Sequence, residues 1–562
     1  MQEISGNLYL AEVLAKLGTD YFFHVPVIAP EAVIEMTNLG LHPIVAHTEK
    51  AAAYMADGYA RASGRIGVCG SQAIGAANLA AGLVDAYMAR SPVLAITGGK
   101  TAETHERNQY QEYDQRPFYE GTTKFRSRVE TITRLPGLLN MAIREATSGQ
   151  PGPTHLELAG FWGALLRDTA EISGMVDETF AQCPPCRPQA SNEQVDAILK
   201  LFAQSERPII VAGSGVRASR AAQAVQDFVH ATGAAFVSSL DAKACLPESD
   251  PFNLGVAGDY SRDTANKAMA AADLVLFVGS TTGSMTTRNW SLPPAGTTVA
   301  QIDIEPKEIG RNFPTKAAAI GDPGAVLGQL LAALPAQPDR SAWHAQIKEL
   351  RAEWAAIAEP LESCDSVPLK PERIMRELSD ALPEDAMVVV DTGHSAAWAA
   401  RHLYLNHPGQ DLLRAAGSLG WSFPAALGAK CAVPDRPVIC FCGDGGFLYH
   451  LGELETALRY GINTVTVVNH NASFSQERFL WRDEPAHQKN WVFERVDLAT
   501  TAESFGCAGF RVTQPGELGA AMEAALQCGR PSVIEVAGDP MTASPPSWGP
   551  GEAQHASFYG DA

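Results

Sequence analysis

The sequence has no long apolar run, few cysteines and a shortage of positive charge. A helix that crosses a bilayer needs roughly 20 consecutive apolar residues, and no stretch of the 562 residues stays apolar for that long, so we expect no membrane partner. The chain carries 43 lysines and arginines against 63 aspartates and glutamates, a formal net charge of -20. Because nucleic acid is a polyanion, no nucleic-acid partner is expected, whereas a small anion could still bind at a locally positive site.

Ten cysteines in 562 residues are too few to suggest a disulfide framework. Most of them lie in apolar segments, as Cys69 and Cys440 do, which favours buried thiols in a reducing compartment. Cys183 and Cys186 have the spacing of a redox or metal site, but no second pair follows them, so we do not expect a metal there. Since the first residues read as an amphipathic helix and not as a secretion signal, we predict a cytoplasmic protein.

Polar, proline-containing stretches divide the chain into three blocks, as expected because 562 residues are too many for one core. We expect domains at residues 1–180, 190–335 and 365–545, followed by a turn-rich tail at 546–562. In each block, helical patterns alternate with short strands that are apolar almost throughout. Strands of that kind are buried on both faces of a parallel sheet. The sequence therefore predicts three α/β domains, each with a mainly parallel sheet flanked by helices.

Polar residues follow three of the predicted strands, at the edge where open parallel sheets bind ligands. Asp444 stands between two glycines, and Asn471 follows 27 positions later, after one helix and one strand, so the two should end adjacent parallel strands. A carboxylate there would repel a bare phosphate but not one that carries Mg²⁺, and an amide oxygen is a suitable second ligand. The alternative is that Asp444 only makes a turn and Asn471 only caps a helix.

This pattern resembles the cofactor motif of thiamine-diphosphate-dependent enzymes of the acetolactate synthase type. The resemblance implies that Asp444, Asn471 and the backbone carbonyl of Ser473 hold Mg²⁺, which bridges the diphosphate of thiamine diphosphate. Where the family has Leu-Asn-Asn-Gly, this chain has Asn469-His470-Asn471-Ala472, and the role of His470 stays open. The resemblance also implies that other residues of the third block touch the cofactor, namely Gly393, His394, Ser395, Gly417, Leu419, Gly443, Gly445, Gly446 and Phe474.

The segment AHTEKAAAYMADGYARASG, which begins at Ala46, resembles the glutamate-bearing helix of the same family. The resemblance gives Glu49 the catalytic role: its carboxyl group exchanges a proton with the aminopyrimidine ring of the cofactor, and that ring then takes the proton from the thiazolium carbon. The alternative is that Glu49 is only a first-turn helix residue favoured by the helix dipole.

Residues 415–430 resemble the family segment whose large apolar side chain bends the cofactor so that its two rings meet. Leu419 takes that position, where acetolactate synthases usually have methionine; the alternative is an ordinary core leucine. For His394 the alternative to a cofactor contact is a loop histidine satisfied by its neighbours.

The resemblance covers nearly the whole chain. It implies a thiamine-diphosphate-binding fold with a pyrimidine-binding first domain, a Rossmann-like middle domain and a diphosphate-binding third domain. In this family the catalytic glutamate and the metal-binding aspartate meet across a subunit interface, so we expect a homodimer or homotetramer. The middle block has a glycine turn at residues 213–215, and its residues 301–312 resemble a stretch found in relatives with and without FAD, so FAD is considered but not expected.

The expected substrates are a 2-oxo acid, which loses CO₂, and a second carbonyl compound, to which the resulting enamine adds. By the resemblance, Gln111 lies near the substrate and Lys124 matches a frequent family lysine, and both favour ligation. The alternatives are a simple 2-oxo acid decarboxylase or a C–C lyase, and, less favoured, a flavin- or nicotinamide-dependent oxidoreductase. Acetolactate synthases have two glycines where this chain has Val27 and Ile28, so its pocket should differ. His24 either contacts the acceptor or is structural.

Overall fold

A computed structural model of the chain describes residues 3–172, 177–480 and 484–545. The predicted tail at 546–562 lies outside the described residues. The strands, in chain order, are β1 (Glu3–Ser5), β2 (Tyr21–His24), β3 (His42–Val45), β4 (Gly67–Ser71), β5 (Val93–Gly98), β6 (Phe125–Val129), β7 (Thr154–Leu158), β8 (Thr169–Glu171), β9 (Pro208–Ala212), β10 (Ala235–Ser238), β11 (Asn253–Val256), β12 (Leu274–Val278), β13 (Thr298–Asp303), β14 (Ala317–Ile320), β15 (Met387–Val390), β16 (Asp411–Arg414), β17 (Val438–Gly443), β18 (Val465–His470), β19 (Ala508–Val512) and β20 (Ser532–Ala537).

Helices connect these strands. They are α1 (Gly6–Lys16), α2 (Pro30–Asn38), α3 (Glu49–Ser63), α4 (Ala76–Met88), α5 (Arg116–Glu120), α6 (Leu135–Thr147), α7 (Asn192–Gln204), α8 (Ser214–Ala218), α9 (Ala222–Thr232), α10 (Asp263–Ala271), α11 (Ser284–Thr287), α12 (Pro323–Ala332), α13 (Ser341–Glu362), α14 (Pro371–Ala381), α15 (His394–His402), α16 (Ser422–Ala432), α17 (Asp444–Leu448), α18 (Glu453–Arg459), α19 (Ser475–Leu480), α20 (Pro485–Gln488), α21 (Leu498–Ser504) and α22 (Leu518–Gln527). None of the described helices combines the length and the apolar character that a bilayer crossing requires.

The described strands form three parallel six-stranded sheets, and β1 pairs with β8 as a separate antiparallel ribbon. The strand orders are β3-β2-β4-β5-β7-β6, β11-β10-β9-β12-β13-β14 and β16-β15-β17-β18-β20-β19. Central strands such as β5, β9 and β12 are buried throughout, which explains their continuous apolar sequences. The predicted fold of three α/β domains is confirmed, whereas the domain limits 1–180, 190–335 and 365–545 stay a prediction.

In each sheet two neighbouring strands continue into connections that run in opposite directions, and a crevice opens between their carboxyl ends. This switch point lies between β2 and β4 in the first sheet, between β9 and β12 in the second, and between β15 and β17 in the third. The residues that leave these six strands at their carboxyl ends therefore surround three comparable crevices.

The first and third domains of one chain pack tightly through α3 and α16. A side chain on Gly58 would put its Cβ atom 2.0 Å from the carbonyl oxygen of Ala425, and one on Gly428 would come 1.8 Å from that of Met55. Only glycine permits this close crossing, and the apolar residues around it, Tyr54 and Trp421 among them, form one core shared by both domains.

Candidate active site

Asp444 lies at the switch point of the third sheet, and the backbone around it holds its carboxylate. Its Oδ1 accepts a hydrogen bond from the N–H of Gly445 at 2.8 Å, and its Oδ2 accepts from the N–H groups of Asn471 at 2.9 Å and Ala472 at 2.5 Å. Because β17 and β18 are adjacent and parallel, the two strand ends meet as the sequence predicted. Burial raises the pKa of Asp444 to about 6, although nearby His470 and the N–H donors favour the ionised form.

Asn471 and Ser473 form the other side of this turn. The Asn471 side chain accepts a hydrogen bond from the Ser473 hydroxyl at 3.0 Å and donates one to the Ser475 hydroxyl at 2.6 Å. These contacts orient its amide oxygen. The arrangement brings together a carboxylate, an amide and a backbone segment that can offer oxygen atoms.

His470, which the sequence left open, joins Asp444 to a second buried acid. Its Nδ1 lies 2.9 Å from the Glu535 carboxylate, and its Nε2 lies 3.7 Å from Asp444 Oδ2. Glu535 also accepts the backbone N–H groups that start α21. His470 therefore lies between the Glu535 and Asp444 carboxylates and supports the position of Asp444.

The glycines after β17 allow apolar rings and chains to approach the turn. A Cβ atom on Gly445 would lie 2.5 Å from the Phe474 ring, and one on Gly446 would lie 3.4 Å from Leu419 Cδ1. Gly445 is therefore required for the Phe474 contact, and Leu419 lies close to the Asp444 turn, while its wedge role stays a prediction.

The crevice continues to the residues that follow β15. Gly393 adopts φ 67°, a left-handed conformation that favours glycine, and α15 begins directly after it. His394 Nδ1 is buried without a hydrogen-bond partner in the described part of the chain, and burial lowers the pKa of His394 to about 4. Ser395 is buried beside it. A neutral histidine with an unpartnered ring nitrogen at a crevice is available to a ligand.

Sequence reasoning missed two carboxylates that hold the Leu419 loop. Asp391 accepts hydrogen bonds from the backbone of Gly420 and Ser422. Asp85, on α4 of the first domain, accepts from the backbone N–H groups of residues 416–418, including Gly417. Asp391 directly follows β15, so the strand-end rule could have found it, but no local pattern distinguishes Asp85 from an ordinary helix residue.

The residues of the Asp444 turn, the Leu419 loop and the start of α15 line one cavity of about 360 Å³. Its third-domain lining includes His394, Asp444 and Asn471, and the middle domain contributes Tyr260 and Met285. Among the described residues, those that line this cavity all follow position 259, and Glu49 is not one of them.

Glu49 lies elsewhere, at the first turn of α3. Its Oε2 accepts a hydrogen bond from the Asn78 amide at 3.3 Å. A side chain on Gly75 would put its Cβ atom 2.4 Å from Glu49 Oε1, so glycine is needed for the carboxylate to sit there. Glu49 thus lies against Gly75, at the carboxyl edge of the first sheet, and is not among the residues that line the Asp444 cavity.

Of the other first-domain candidates, Gln111 and His24 lie on loops or strand ends at the same edge of the first sheet as Glu49, whereas Lys124 does not. Gln111 has φ 62° and a buried Oε1 without a hydrogen-bond partner among the described residues. His24 ends β2 and is buried. Lys124 instead donates to the backbone carbonyls of Ser148 and Gln150, so its ammonium group serves a loop contact.

The glycine turn of the middle domain has a packing explanation. A Cβ atom on Gly213 would lie 2.2 Å from the carbonyl oxygen of Gly279, and one on Gly215 would lie 2.8 Å from the Gly279 Cα. The cavity beside this turn has about 60 Å³ and includes Asp303 in its lining. The turn therefore provides no argument for a flavin.

The residues around the Asp444 cavity fit thiamine diphosphate and Mg²⁺. Mg²⁺ prefers oxygen ligands and is held by one or two carboxylates together with phosphate oxygens, which matches Asp444 and the Asn471 amide. The unpartnered His394 ring nitrogen can donate to a diphosphate oxygen, since a neutral imidazole carries one N–H.

Comparison with known proteins agrees with this geometry. Three family models match: the N-terminal TPP binding domain of thiamine pyrophosphate enzymes at residues 4–118, their central domain at 195–330 and their C-terminal TPP binding domain at 391–536. Thiamine pyrophosphate, or TPP, is another name for thiamine diphosphate.

Similar curated proteins extend over nearly the whole chain. A probable acetolactate synthase large subunit of Methanocaldococcus jannaschii is 31% identical, with 90% of this chain and 86% of the relative covered. The acetolactate synthase isozyme 2 large subunit of Escherichia coli K12 is 28% identical, with 89% of each covered, and the glyoxylate carboligase of Escherichia coli O157:H7 is 28% identical, with 95% and 93% covered. The chain belongs to the thiamine pyrophosphate enzyme family, as a member similar to acetolactate synthases.

Proposed function

We propose that this protein is a Mg²⁺-dependent carboligase that uses thiamine diphosphate to decarboxylate a 2-oxo acid and to join the remaining fragment to a second carbonyl compound. The observation that carries the proposal is the Asp444 carboxylate, which three backbone N–H groups hold at a switch-point cavity. Bound there, the cofactor would supply an electron sink for the loss of CO₂.

Different residues of the chain would bind the metal, bind the cofactor and exchange the proton. Asp444, the Asn471 amide oxygen and the backbone carbonyl of Ser473 would hold Mg²⁺, and His394 would donate to the diphosphate. Leu419 would press on the cofactor from the side of Gly446. Glu49 would exchange a proton with the aminopyrimidine ring.

A second copy of the chain completes the site in this proposal. The wall of the Asp444 cavity contains no first-domain residue among those described, and Glu49 lies at a separate crevice. A partner's first domain would therefore bring Glu49 and Gln111 to the cofactor, which requires a homodimer or a homotetramer.

Ligation is preferred to simple decarboxylation because of what the similar proteins are named. Acetolactate synthases and a glyoxylate carboligase are among them, and we carry that reaction type to this chain. A simple decarboxylase or C–C lyase is the second candidate. FAD and a redox reaction are not favoured, since the middle-domain glycines are explained by packing.

Product analysis tests the proposal. The protein is stripped with a chelator, reloaded with thiamine diphosphate and Mg²⁺, and supplied with a panel of 2-oxo acids while CO₂ and products are followed by mass spectrometry. We expect CO₂ together with a hydroxyketone or hydroxy acid, and no turnover when Mg²⁺ is withheld. An aldehyde as the sole product would favour the decarboxylase, and no CO₂ from any 2-oxo acid would refute both.

We also propose that the enzyme works in the cytoplasm. All ten cysteines are unpaired and seven of them are buried, which fits a reducing compartment.

A further inference from the structure

Val27 occupies the switch point of the first sheet in an unusual conformation. It follows β2 and has φ 70°, a left-handed value that is unfavourable for a branched side chain. Its side chain is nevertheless 49% exposed. Burial within one chain therefore does not compensate for the strain, and glycine would adopt this backbone at no cost.

Backbone strain concentrates at this edge of the first sheet. Of the 13 non-glycine residues with positive φ in the described part of the chain, six lie on loops that leave its carboxyl end: Val27, Ala29, Glu106, Asn108, Gln111 and Trp162. Strain of this kind persists at sites where function requires the geometry.

Val27 and Glu49 lie at the same edge of the first sheet. In the strand order β3-β2-β4, the chain leaving β3 leads to Glu49, the chain leaving β2 leads to Val27, and the chain leaving β4 leads to Ile74 and Gly75. Gly75 touches the Glu49 carboxylate, and Ile74 is 61% exposed. Two exposed apolar side chains, Val27 and Ile74, thus lie at the same sheet edge as the acid that is proposed to act on the cofactor.

Polar atoms without partners lie at the same edge. Gln72 accepts a hydrogen bond from the N–H of Trp162 through its Oε1, but its Nε2 is buried with no partner among the described residues, as are His24 Nε2 and Gln111 Oε1. His24 Nδ1 lies 3.2 Å from the Val25 carbonyl oxygen and so donates to it, which leaves Nε2 as an acceptor. An unsatisfied buried polar group is costly, so a ligand that satisfies these atoms gains binding energy.

We propose that Val27 is a specificity-determining residue, which limits the size of the second carbonyl substrate, and that the Gln72 amide donates a hydrogen bond to an oxygen of that substrate. The substrate class is a small, unbranched 2-oxo acid or aldehyde. This inference rests on the proposed carboligase function, in which the strand ends of a partner's first domain would face the cofactor and its second substrate.

Acceptor profiling of Val27 variants tests the size limit. One donor 2-oxo acid is combined with acceptors of increasing bulk, and ligated product is measured against CO₂ released. We expect Val27→Gly to raise the ratio of kcat/KM for a branched or aromatic acceptor over a small one by about tenfold or more, since a single methylene group in a pocket is worth about that much. Val27→Ala, which keeps the Cβ atom and removes two methyl groups, should fall between.

A matched control separates the effect of backbone strain at Val27 from the effect of the size of its side chain. Ala29 also has positive φ, 44°, but is buried, so Ala29→Gly loosens the same turn without widening the exposed face and should leave the acceptor ratio unchanged. Val27→Gly should raise the midpoint of thermal unfolding by roughly 1 to 2 °C, because it removes strain. Gln72→Leu should raise the KM for the acceptor more than it lowers kcat.

The outcomes distinguish this inference from the function on which it rests. Release of CO₂ and formation of ligated product with the same acceptor range in wild type and Val27→Gly would overturn the size limit alone. A protein that forms no ligated product in either form would overturn the carboligase proposal and this inference together.

Discussion

At the scale of single residues, the two carboxylates that the proposed chemistry needs are held in different ways. Three backbone N–H groups fix Asp444, which suits a metal ligand that must keep its place. Glu49 has one side-chain hydrogen bond, from Asn78, and is only partly buried. The Glu49 carboxyl group is therefore held less firmly than that of Asp444 and stays accessible to a ligand.

Replacing Glu49 by glutamine should slow turnover by about 10² to 10⁴-fold, since it removes the proton exchange but keeps the shape. Binding of thiamine diphosphate, measured by calorimetry, should change little. The control is Glu193→Gln: Glu193 also stands in the first turn of a helix, α7, but is exposed. If the Glu49 variant turned over like the Glu193 variant, the catalytic role would be wrong.

The Asp303 carboxyl group, at the end of β13, should destabilise the fold more at neutral pH than at low pH. Burial raises its pKa to about 7 from an unfolded value near 4, so its folded form is disfavoured progressively as pH rises from about 4 to 7. Asparagine has the shape of aspartate but no charge to bury. We therefore expect Asp303→Asn to raise the free energy of unfolding by roughly 2 kcal/mol at pH 8, where Asp303 is ionised, and by little at pH 4, where it is protonated.

Urea unfolding at both pH values measures this difference. Asp435→Asn, which changes an exposed carboxylate, is the control and should show no such dependence. A gain for Asp303→Asn that is equal at the two pH values would mean that ionisation is not the cause.

At the scale of elements, the crossing of α3 and α16 connects the two halves of the site. The helix α3 begins with Glu49, and α16 follows the loop that carries Leu419. Between them lies a buried ion-pair cluster: Arg61 contacts Asp57 at 2.5 Å and Asp85 at 2.9 Å, and Trp421 donates to Asp57. Displacing either helix should therefore disturb both proposed sites.

The variant Gly428→Ala tests this crossing. Its new methyl group would lie 1.8 Å from the Met55 carbonyl oxygen, so we expect a loss of more than about 2 kcal/mol in the free energy of unfolding and a loss of cofactor binding. Gly328→Ala is the matched control, because Gly328 is inside α12 with no atom within 4 Å of the added Cβ. That variant should gain about 0.5 to 1 kcal/mol, as measured by chemical denaturation.

At the scale of the whole molecule, one chain contains the two carboxylates of the proposed site but holds them at separate crevices. The Asp444 cavity and the Glu49 crevice belong to different sheets, and the contact between their domains is already filled by the α3–α16 packing. A symmetric pair of chains would form two sites, each with an acid from one copy and a metal-binding turn from the other.

Mixing two inactive variants checks this arrangement. Glu49→Gln and Asp444→Ala proteins are each expected to be inactive, but a mixed dimer has one site with both wild-type residues. Statistical exchange of subunits should thus restore about a quarter of the wild-type activity, with dimers or larger species seen by sedimentation. Recovery of no activity despite proven subunit exchange would show that Glu49 serves its own chain.

Much of this protein follows from its sequence because the signals are local. Continuous apolar strands between helices predicted three parallel sheets, and the spacing of Asp444 and Asn471 predicted that their strands are neighbours. The glycines at 445 and 446 fitted a close approach, which the structure explains by Phe474 and Leu419.

Other features depend on contacts between residues distant along the chain, which no local pattern encodes. Asp85 reaches the Leu419 loop from the first domain, and His470 supports Asp444 because β18 brings it against Glu535. By itself the sequence determined the three sheets, the turn that brings Asp444 and Asn471 together and the position of the candidate acid at a helix start, since strand burial and turn chemistry act over a few residues. The family resemblance had implied that the acid and the turn belong to different copies, and only the tertiary structure decided how they are kept apart in one chain, because the packing of α3 against α16 sets where each crevice opens.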